Sequence, residues 1–286
     1  MGASLMIGIF KSEEPADHSQ KRNSHLSRLR LIPRKTSKDI YGYDSQKSLL
    51  WKLQHGKCCY CEQKIPYPYN DVEHYRPKAE ALREPGSIET YGYWWLAYSW
   101  ENLFYSCASC NRSSKNSLFP LAIGSMTLHE EEPPPGNEIP LLSYPGNNDA
   151  AQHIGFELVS RAPYDNLSWW RAVPINNSEI GRTTIETIGL NEQDRVEVRM
   201  NYFRDTLNPL VRRIKIAASK NDIVSKNTLL ASFFELFFAN QPFSVFSFSV
   251  FEATFEDGCR ELSEIGIDFN RSMLGCIMDI NYSRIA

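Results

Sequence analysis

Cys58-Cys59-Tyr60-Cys61-Glu62 and, beyond 45 intervening residues, Cys107-Ala108-Ser109-Cys110-Asn111 carry the two C-x-x-C pairs on which the reading of this chain turns. Each pair sets two thiolates on one side of a tight turn, and two such turns supply the tetrahedral sulfur set that zinc prefers. Protein would then fill all four positions around the ion, so the zinc is expected to be structural. A redox role fits less well, because two pairs flanking an acid-His segment suit a metal clamp better than a thioredoxin-like turn. Metal-binding free energy in such a site is folding free energy, so Cys58→Ser or Cys110→Ser is expected to unfold the module.

Between the turns lies Asp71-Val72-Glu73-His74-Tyr75-Arg76-Pro77-Lys78, and around the second turn lie Glu101-Asn102-Leu103-Phe104-Tyr105-Ser106 and Asn111-Arg112-Ser113-Ser114-Lys115. An acid-His dipeptide at a strand end, an Asn-Leu-apolar strand returning beside it and a C-x-x-C-N-x-x-x-K helix start resemble the HNH, or ββα-metal, nuclease motif. Phosphodiester hydrolysis needs a base for water and a cation for the charge building on the phosphate. His74 suits the base at neutral pH. Glu73 and the amide oxygen of Asn111 are hard donors of the kind that hold Mg2+ or Mn2+. By the same resemblance Asn102 ties the loop after His74 to the second strand, while Lys115, Arg76, Lys78 and Arg112 are candidates for phosphate contact.

A narrower resemblance extends this pattern. The sequence at 59–62 (CYCE), Glu73 to Lys78, Tyr93-Trp94-Trp95-Leu96-Ala97-Tyr98, Asn102-Leu103, Cys110-Asn111, Lys115, Phe119-Pro120, Pro140-Leu141-Leu142, His153-Ile154-Gly155-Phe156, the run from Thr184 to Asn191 and Arg199 look like the PtuB family of HNH nucleases. The likeness covers roughly residues 45 to 215. It implies a bacterial antiphage nuclease of the Septu type, controlled by a PtuA-like ATPase, with a retron reverse transcriptase and its msDNA as further partners where a retron has borrowed the pair. DNA is the substrate it implies first, RNA such as a tRNA second. A zinc-stabilised binding module that grips nucleic acid or protein without cutting is the alternative to an enzyme.

Composition bounds the rest. With 286 residues, 42% hydrophobic and 23% charged, the chain can bury a substantial core. The net charge of −3 hides an asymmetry: residues 1–83 carry 15 basic against 9 acidic side chains, and residues 84–160 carry 2 against 9. Seven cysteines, an odd number with four in C-x-x-C pairs, argue for metal rather than disulfides in a reducing compartment. Cys59, Cys259 and Cys276 read as ordinary small semi-buried residues, and His18, His25, His55, His129 and His153 have no partner at ligand spacing. The greasiest stretch, Leu229 to Ala239, is too short for a bilayer and contains Glu235. Met1 to Phe10 lacks a basic n-region and a cleavage site, so a cytoplasmic protein is expected.

The expected fold is α+β, mainly helical: a basic arm over 1–43, a zinc-stabilised HNH module over 44–130, and a helical region over 131–286. Residues 11–40 read as a loose lead-in, solvated or touching phosphate backbones, and 44–54 as a short helix with Asp44 at its start. The aromatic run from Tyr91 to Trp100 is read as core in preference to a base-stacking platform. The Pro, Gly and Asn of 130–148 mark the boundary. Phe156–Ser160 and Ser168–Val173 suggest a hairpin, and Ile180–Ile188 a helix. A long amphipathic helix capped at Asn191 follows, divided or kinked at Pro209. The phenylalanine-rich stretch from Leu229 to Phe255 reads as packed helix, with SVFSFSVF open to a strand, and the region from 225 on is the candidate docking face for the ATPase.

Overall fold

The computed structural model describes Ile9, Lys11, residues 13–32, 44–84, 92–146, 150–160, 168–269 and Leu274. The stretch of the lead-in that holds Arg34, Lys35 and Lys38, together with Tyr91 and Cys276, lies outside the described residues. The chain is mainly helical with two small antiparallel sheets among those residues. No helix among them is long and apolar enough to cross a membrane.

Helix α1 spans Ala16–Leu29, so the loose lead-in expected over 11–40 contains an ordered helix. The few apolar residues that hid it suffice because α1 buries only His18 and Leu29, and His18 Nε2 meets the Tyr98 carbonyl at 2.9 Å. Ahead of it, Ile9 donates its N–H to the Pro145 carbonyl, and Lys11 Nζ lies 3.9 Å from the centre of the Phe104 ring. Helix α2, Asp44–Leu53, follows where expected. Strands β1, Asp71–His74, and β2, Leu103–Ser106, pair antiparallel, with Glu73 opposite Phe104 and His74 opposite Leu103. A π-helical segment, Ser109–Lys115, continues from β2.

The Pro- and Gly-rich stretch is drawn into the first core. Leu128 and Leu142 are buried with the β1–β2 pair, and that core continues into Ile154, Ala172 and Ile185. The short helix α3, Ala150–His153, leads into strand β3, Ile154–Val159, which pairs antiparallel with β4, Trp169–Pro174. Helix α4, Glu179–Ile188, starts where the Ser178 side chain accepts the Gly181 N–H and stops at Gly189 in the left-handed conformation.

The long helix expected from Asn191, divided or kinked at Pro209, runs from Gln193 to Ser219 and is interrupted by a π-helical stretch just before Pro209. Helix α5, Gln193–Tyr202, passes into a π-helical stretch, Phe203–Leu207, and then α6, Asn208–Ser219, with Pro209 in its first turn, where a missing N–H is tolerated. Glu192, not Asn191, is the residue before α5; the Asn191 amide instead accepts the Ala172 N–H at 2.9 Å and donates to the Ala172 carbonyl at 3.0 Å.

Helices α7, Ile223–Glu235, α8, Ser244–Thr254, and α9, Gly258–Glu264, complete the second core. SVFSFSVF is helix: residues Ser244 to Phe251 are all buried. Serine tolerates that burial because its hydroxyl bonds back to the helix, as Ser249 Oγ does to the Val245 carbonyl at 3.1 Å. Phe233, Phe237, Phe246, Phe248 and Phe251 face inward. Most of the aromatic side chains expected to form a docking face are therefore interior, with Phe234 and Phe238 half-buried, and among the described residues from α6 onward the exposed large apolar side chains are Ile216, Ile223 and Val224.

The two cores are joined at the first cysteine turn. Glu62 accepts the Phe243 N–H on its carbonyl at 3.3 Å and the Val245 N–H on its carboxylate at 3.2 Å, and Lys57 Nζ donates to the Gln241 carbonyl at 3.0 Å.

Candidate functional site

The cysteine turns meet because β2 is gripped from the side. Buried Gln54, at the end of α2, accepts the Tyr105 N–H at 2.7 Å and donates to the Tyr105 carbonyl at 2.7 Å and the Lys57 carbonyl at 2.9 Å. Cys59 N–H also donates to the Tyr105 carbonyl at 3.0 Å. The first turn is thereby held against the strand that leads into the second. The Sγ atoms of Cys58, Cys61, Cys107 and Cys110 all lie within 4.8 Å of one another, with Cys61 and Cys107 3.9 Å apart. Zinc–thiolate bonds of about 2.3 Å imply tetrahedral sulfurs roughly 3.8 Å apart, so this set fits the ion.

The electrostatics agree with that fit. Burial opposes ionisation of Cys58, yet hydrogen bonds from Cys107 and Cys110 hold it well below the usual thiol range. Cys61 and Cys110 are pushed well above that range, chiefly by their hydrogen bonds with Cys107. A buried set in which one thiolate holds its neighbours protonated is relieved by a divalent cation. Among the described residues this is the group of three or more His, Cys, Asp or Glu side chains placed to hold a metal.

Beside it, β1 presents Glu73 and His74, both buried. Glu73 Oε1 is 2.7 Å from Lys115 Nζ and accepts the Tyr60 hydroxyl at 3.1 Å. Burial pushes the Glu73 carboxyl up, against the pull of Lys115. Lys115, only 1% exposed, also donates to the His74 carbonyl at 3.0 Å. His74 Nε2 lies 3.0 Å from the Ala97 carbonyl, and since a carbonyl only accepts, the ring proton sits on Nε2 and Nδ1 is the basic nitrogen. Burial, then the charge of Lys78, holds His74 well below the usual imidazole range, so the ring is neutral near pH 7.

Asn102 fastens the turn that follows. Its Oδ1 accepts the Arg76 N–H at 2.8 Å, and its Nδ2 donates to the Arg76 carbonyl at 2.9 Å and the Leu96 carbonyl at 3.1 Å. Asn111 lies half-buried in the π-helical segment, one residue past Cys110. Glu73 and Asn111 together supply a carboxylate and an amide oxygen, donors of the class Mg2+ takes, although Lys115 already neutralises the carboxylate.

The basic side chains expected to meet phosphate divide. Arg76 Nε is in a buried ion pair with Glu138 at 2.7 Å, its guanidinium beside the Tyr75 and Phe119 rings, so it is structural. Lys115, sealed against Glu73, is structural as well. Burial beside a carboxylate removes both from reach of a substrate. Lys78 is half-buried near His74, and Arg112 is exposed, with both carboxylate oxygens of Asp71 2.6 and 2.7 Å from its guanidinium. The rings of Tyr93, Trp94, Tyr98 and Trp100 are buried, as the core reading expects.

Tyr60, Gln54, Glu138 and Lys11 were not anticipated. Tyr60 sits inside the first C-x-x-C and was the one of these with a signal in sequence, since a turn that carries two ligands must aim its middle residues somewhere. Glu138 lies in a stretch that reads as breaker-rich linker. Lys11 donates to the Trp100 carbonyl, and burial lowers it to about 7 although Glu101 opposes the shift.

No protein-family model matches the chain, and no solved structure matches it. It is 33% identical over 169 residues to the Septu protein PtuB of Bacillus mycoides strain KBAB4, a stretch that is 58% of this chain and 54% of that protein. It is 23% identical over 155 residues to the Septu protein PtuA of the same strain, 54% of this chain and 20% of that protein. The chain thus spans about half the length of that PtuB and a fifth of that PtuA.

Proposed function

We propose that this chain is a metal-dependent endonuclease of the HNH, ββα-metal type and acts in Septu-type antiphage defence beside a PtuA-like ATPase. The defence role is supported by the similarity to PtuB and PtuA. The nuclease reading is carried by one observation: His74, at the end of the strand paired with the one that leads into the second cysteine turn, is a neutral imidazole whose Nε2 proton is committed to the Ala97 carbonyl.

On this reading Nδ1 of His74 takes the proton of the attacking water. The Ala97 carbonyl fixes the tautomer and steadies the imidazolium that results. Asn102 keeps the 75–78 turn in register with β2, which sets where the imidazole points. Lys78 and Arg112 stand as the phosphate-facing cations. A divalent ion held by Glu73 and Asn111 would supply charge neutralisation at the phosphate. The four-cysteine centre takes no part in chemistry, because its ligands leave no open position.

The test is nicking of supercoiled plasmid with Mg2+ or Mn2+ by wild type and His74→Ala, run beside single-stranded DNA and total tRNA. Cleavage that falls at least a hundredfold in the variant is expected, in line with the contribution of a general base. Equal cleavage by both removes His74 from the mechanism, and preference for tRNA moves the substrate to RNA. A second reading, a zinc-stabilised module that binds without cutting, is favoured by the Glu73–Lys115 pair, in which the carboxylate already has its cation. It predicts binding to nucleic acid with no cleavage under any divalent ion.

A further inference from the structure

Five Lys and Arg side chains are buried among the described residues, and four have a carboxylate: Lys57 with Glu62 at 3.4 Å, Arg76 with Glu138 at 2.7 Å, Lys115 with Glu73 at 2.7 Å and Arg195 with Asp194 at 2.9 Å. Arg199 is different. It is 3% exposed, and no carboxylate lies at ion-pair distance from it among the described residues. Two of its nitrogens donate to the Leu190 and Trp170 carbonyls, at 3.0 and 2.9 Å, while buried Nε has no partner. The Phe156 ring centre is 4.9 Å from the guanidinium carbon.

An isolated buried cation is costly unless a negative charge compensates it. Arg199 lines a cavity of about 70 Å³ together with Cys59, Tyr60 and Cys61 of the first cysteine turn and with Glu62, whose carboxylate is already engaged by Lys57 Nζ at 3.4 Å and the Val245 N–H at 3.2 Å. Burial lowers the guanidinium to about 10, and the acidic group that opposes the shift is the Cys61 thiol. A zinc ion with four thiolate ligands carries a net charge of about −2. Such a centre has an excess of negative charge, and Arg199 is a buried positive charge without an ion-pair partner on the same small cavity.

We infer that Arg199 is the counter-charge of the four-thiolate centre, a positioning residue that holds the ion by neutralising its ligands from the helical half of the chain. The inference rests on the zinc reading of the cysteine cluster and is independent of whether the chain cuts nucleic acid. It follows that the cluster's metal retention is set partly by α5, far along the sequence from either C-x-x-C.

The experiment uses the full zinc-loaded chain and times zinc release to a chromophoric chelator for wild type, Arg199→Gln and Arg199→Lys. Groups that support metal ligands from outside the coordination sphere are worth roughly 10- to 100-fold in affinity, so Arg199→Gln should release zinc about tenfold faster or more. Arg199→Lys, which keeps the charge but not the fork that reaches both carbonyls, should stay close to wild type. In cobalt-loaded samples the sulfur-to-cobalt charge-transfer band should shift in the Gln variant and hold in the Lys variant. Equal loss in both variants would assign Arg199 to packing and overturn the inference, as would release from the Gln variant at the wild-type rate. A wild-type chain that purifies without zinc overturns the metal site and this inference with it.

Discussion

At the scale of single residues, the Glu73–Lys115 pair is the sharpest commitment. Each side chain is nearly inaccessible and each is the other's charge partner at 2.7 Å. Removing one partner leaves a buried uncompensated charge, which typically costs 3–5 kcal/mol. Lys115→Met alone should therefore destabilise by about 3–5 kcal/mol, and Glu73→Gln with Lys115→Met together by much less than the two singles summed. Urea unfolding of the four proteins measures that coupling. His74 gives a second expectation, with its sign fixed by burial. On the proposed nuclease reading the base must be unprotonated to work, and His74 is held well below the usual imidazole value, so the acid limb of kcat/KM should fall below about pH 6.5. A profile that loses activity already above pH 7 contradicts the assignment. These residue identities were legible in the sequence, since acid, imidazole and amide stand at telling positions around the cysteines. Their partners were not, because Arg76 next to a His-Tyr strand end looks like a phosphate ligand until Glu138, from a loop 62 positions away, is seen to occupy it.

At the scale of elements, the turn after β1 depends on a glycine for room. A Cβ on Gly92 would sit 2.5 Å from the Pro77 carbonyl oxygen and 2.7 Å from the Glu80 nitrogen, both backbone atoms that cannot swing aside. Gly92→Ala should displace the 77–80 loop, and Lys78 with it, at a cost of about 1–3 kcal/mol. Urea unfolding reads the cost, and an unchanged midpoint would show that the loop yields freely. Elements with local signals were readable: the β3–β4 hairpin from its apolar runs, α4 from its periodicity, α2 from its start. Helix α1 was not, because only two of its side chains are buried, and the division of α5 from α6 through a π-helical stretch leaves no mark except Pro209. SVFSFSVF was ambiguous for a physical reason, since a helix buried on all sides loses the polar stripe that distinguishes it from a strand.

For the molecule as a whole, two apolar cores share the work, and the second is phenylalanine packed on phenylalanine. Phe248 is fully buried there, in edge contact with Phe237 and Phe269. Phe248→Ala should cost about 3–5 kcal/mol. Val224→Asp, at a position 78% exposed, should change stability by less than about 0.5 kcal/mol. Comparing the two by thermal unfolding separates interior from surface in this half, and equal losses would contradict the packing described. The mainly helical character with small sheets followed from composition and pattern, but the continuity of the first core past residue 130 did not, because Pro and Gly punctuate a buried loop as readily as a linker.

Glu62 gives that architecture a mechanical consequence. It belongs to the turn that holds Cys58 and Cys61, yet its carbonyl and carboxylate receive the amide protons that open α8. Stripping the sulfur-bound ion with a chelator should then slacken more than the nuclease-like hairpin. Amide hydrogens of Val245 to Phe251 should begin to exchange with deuterium in step with those of the cysteine turns, as a bracelet opens along its whole length when one clasp is undone.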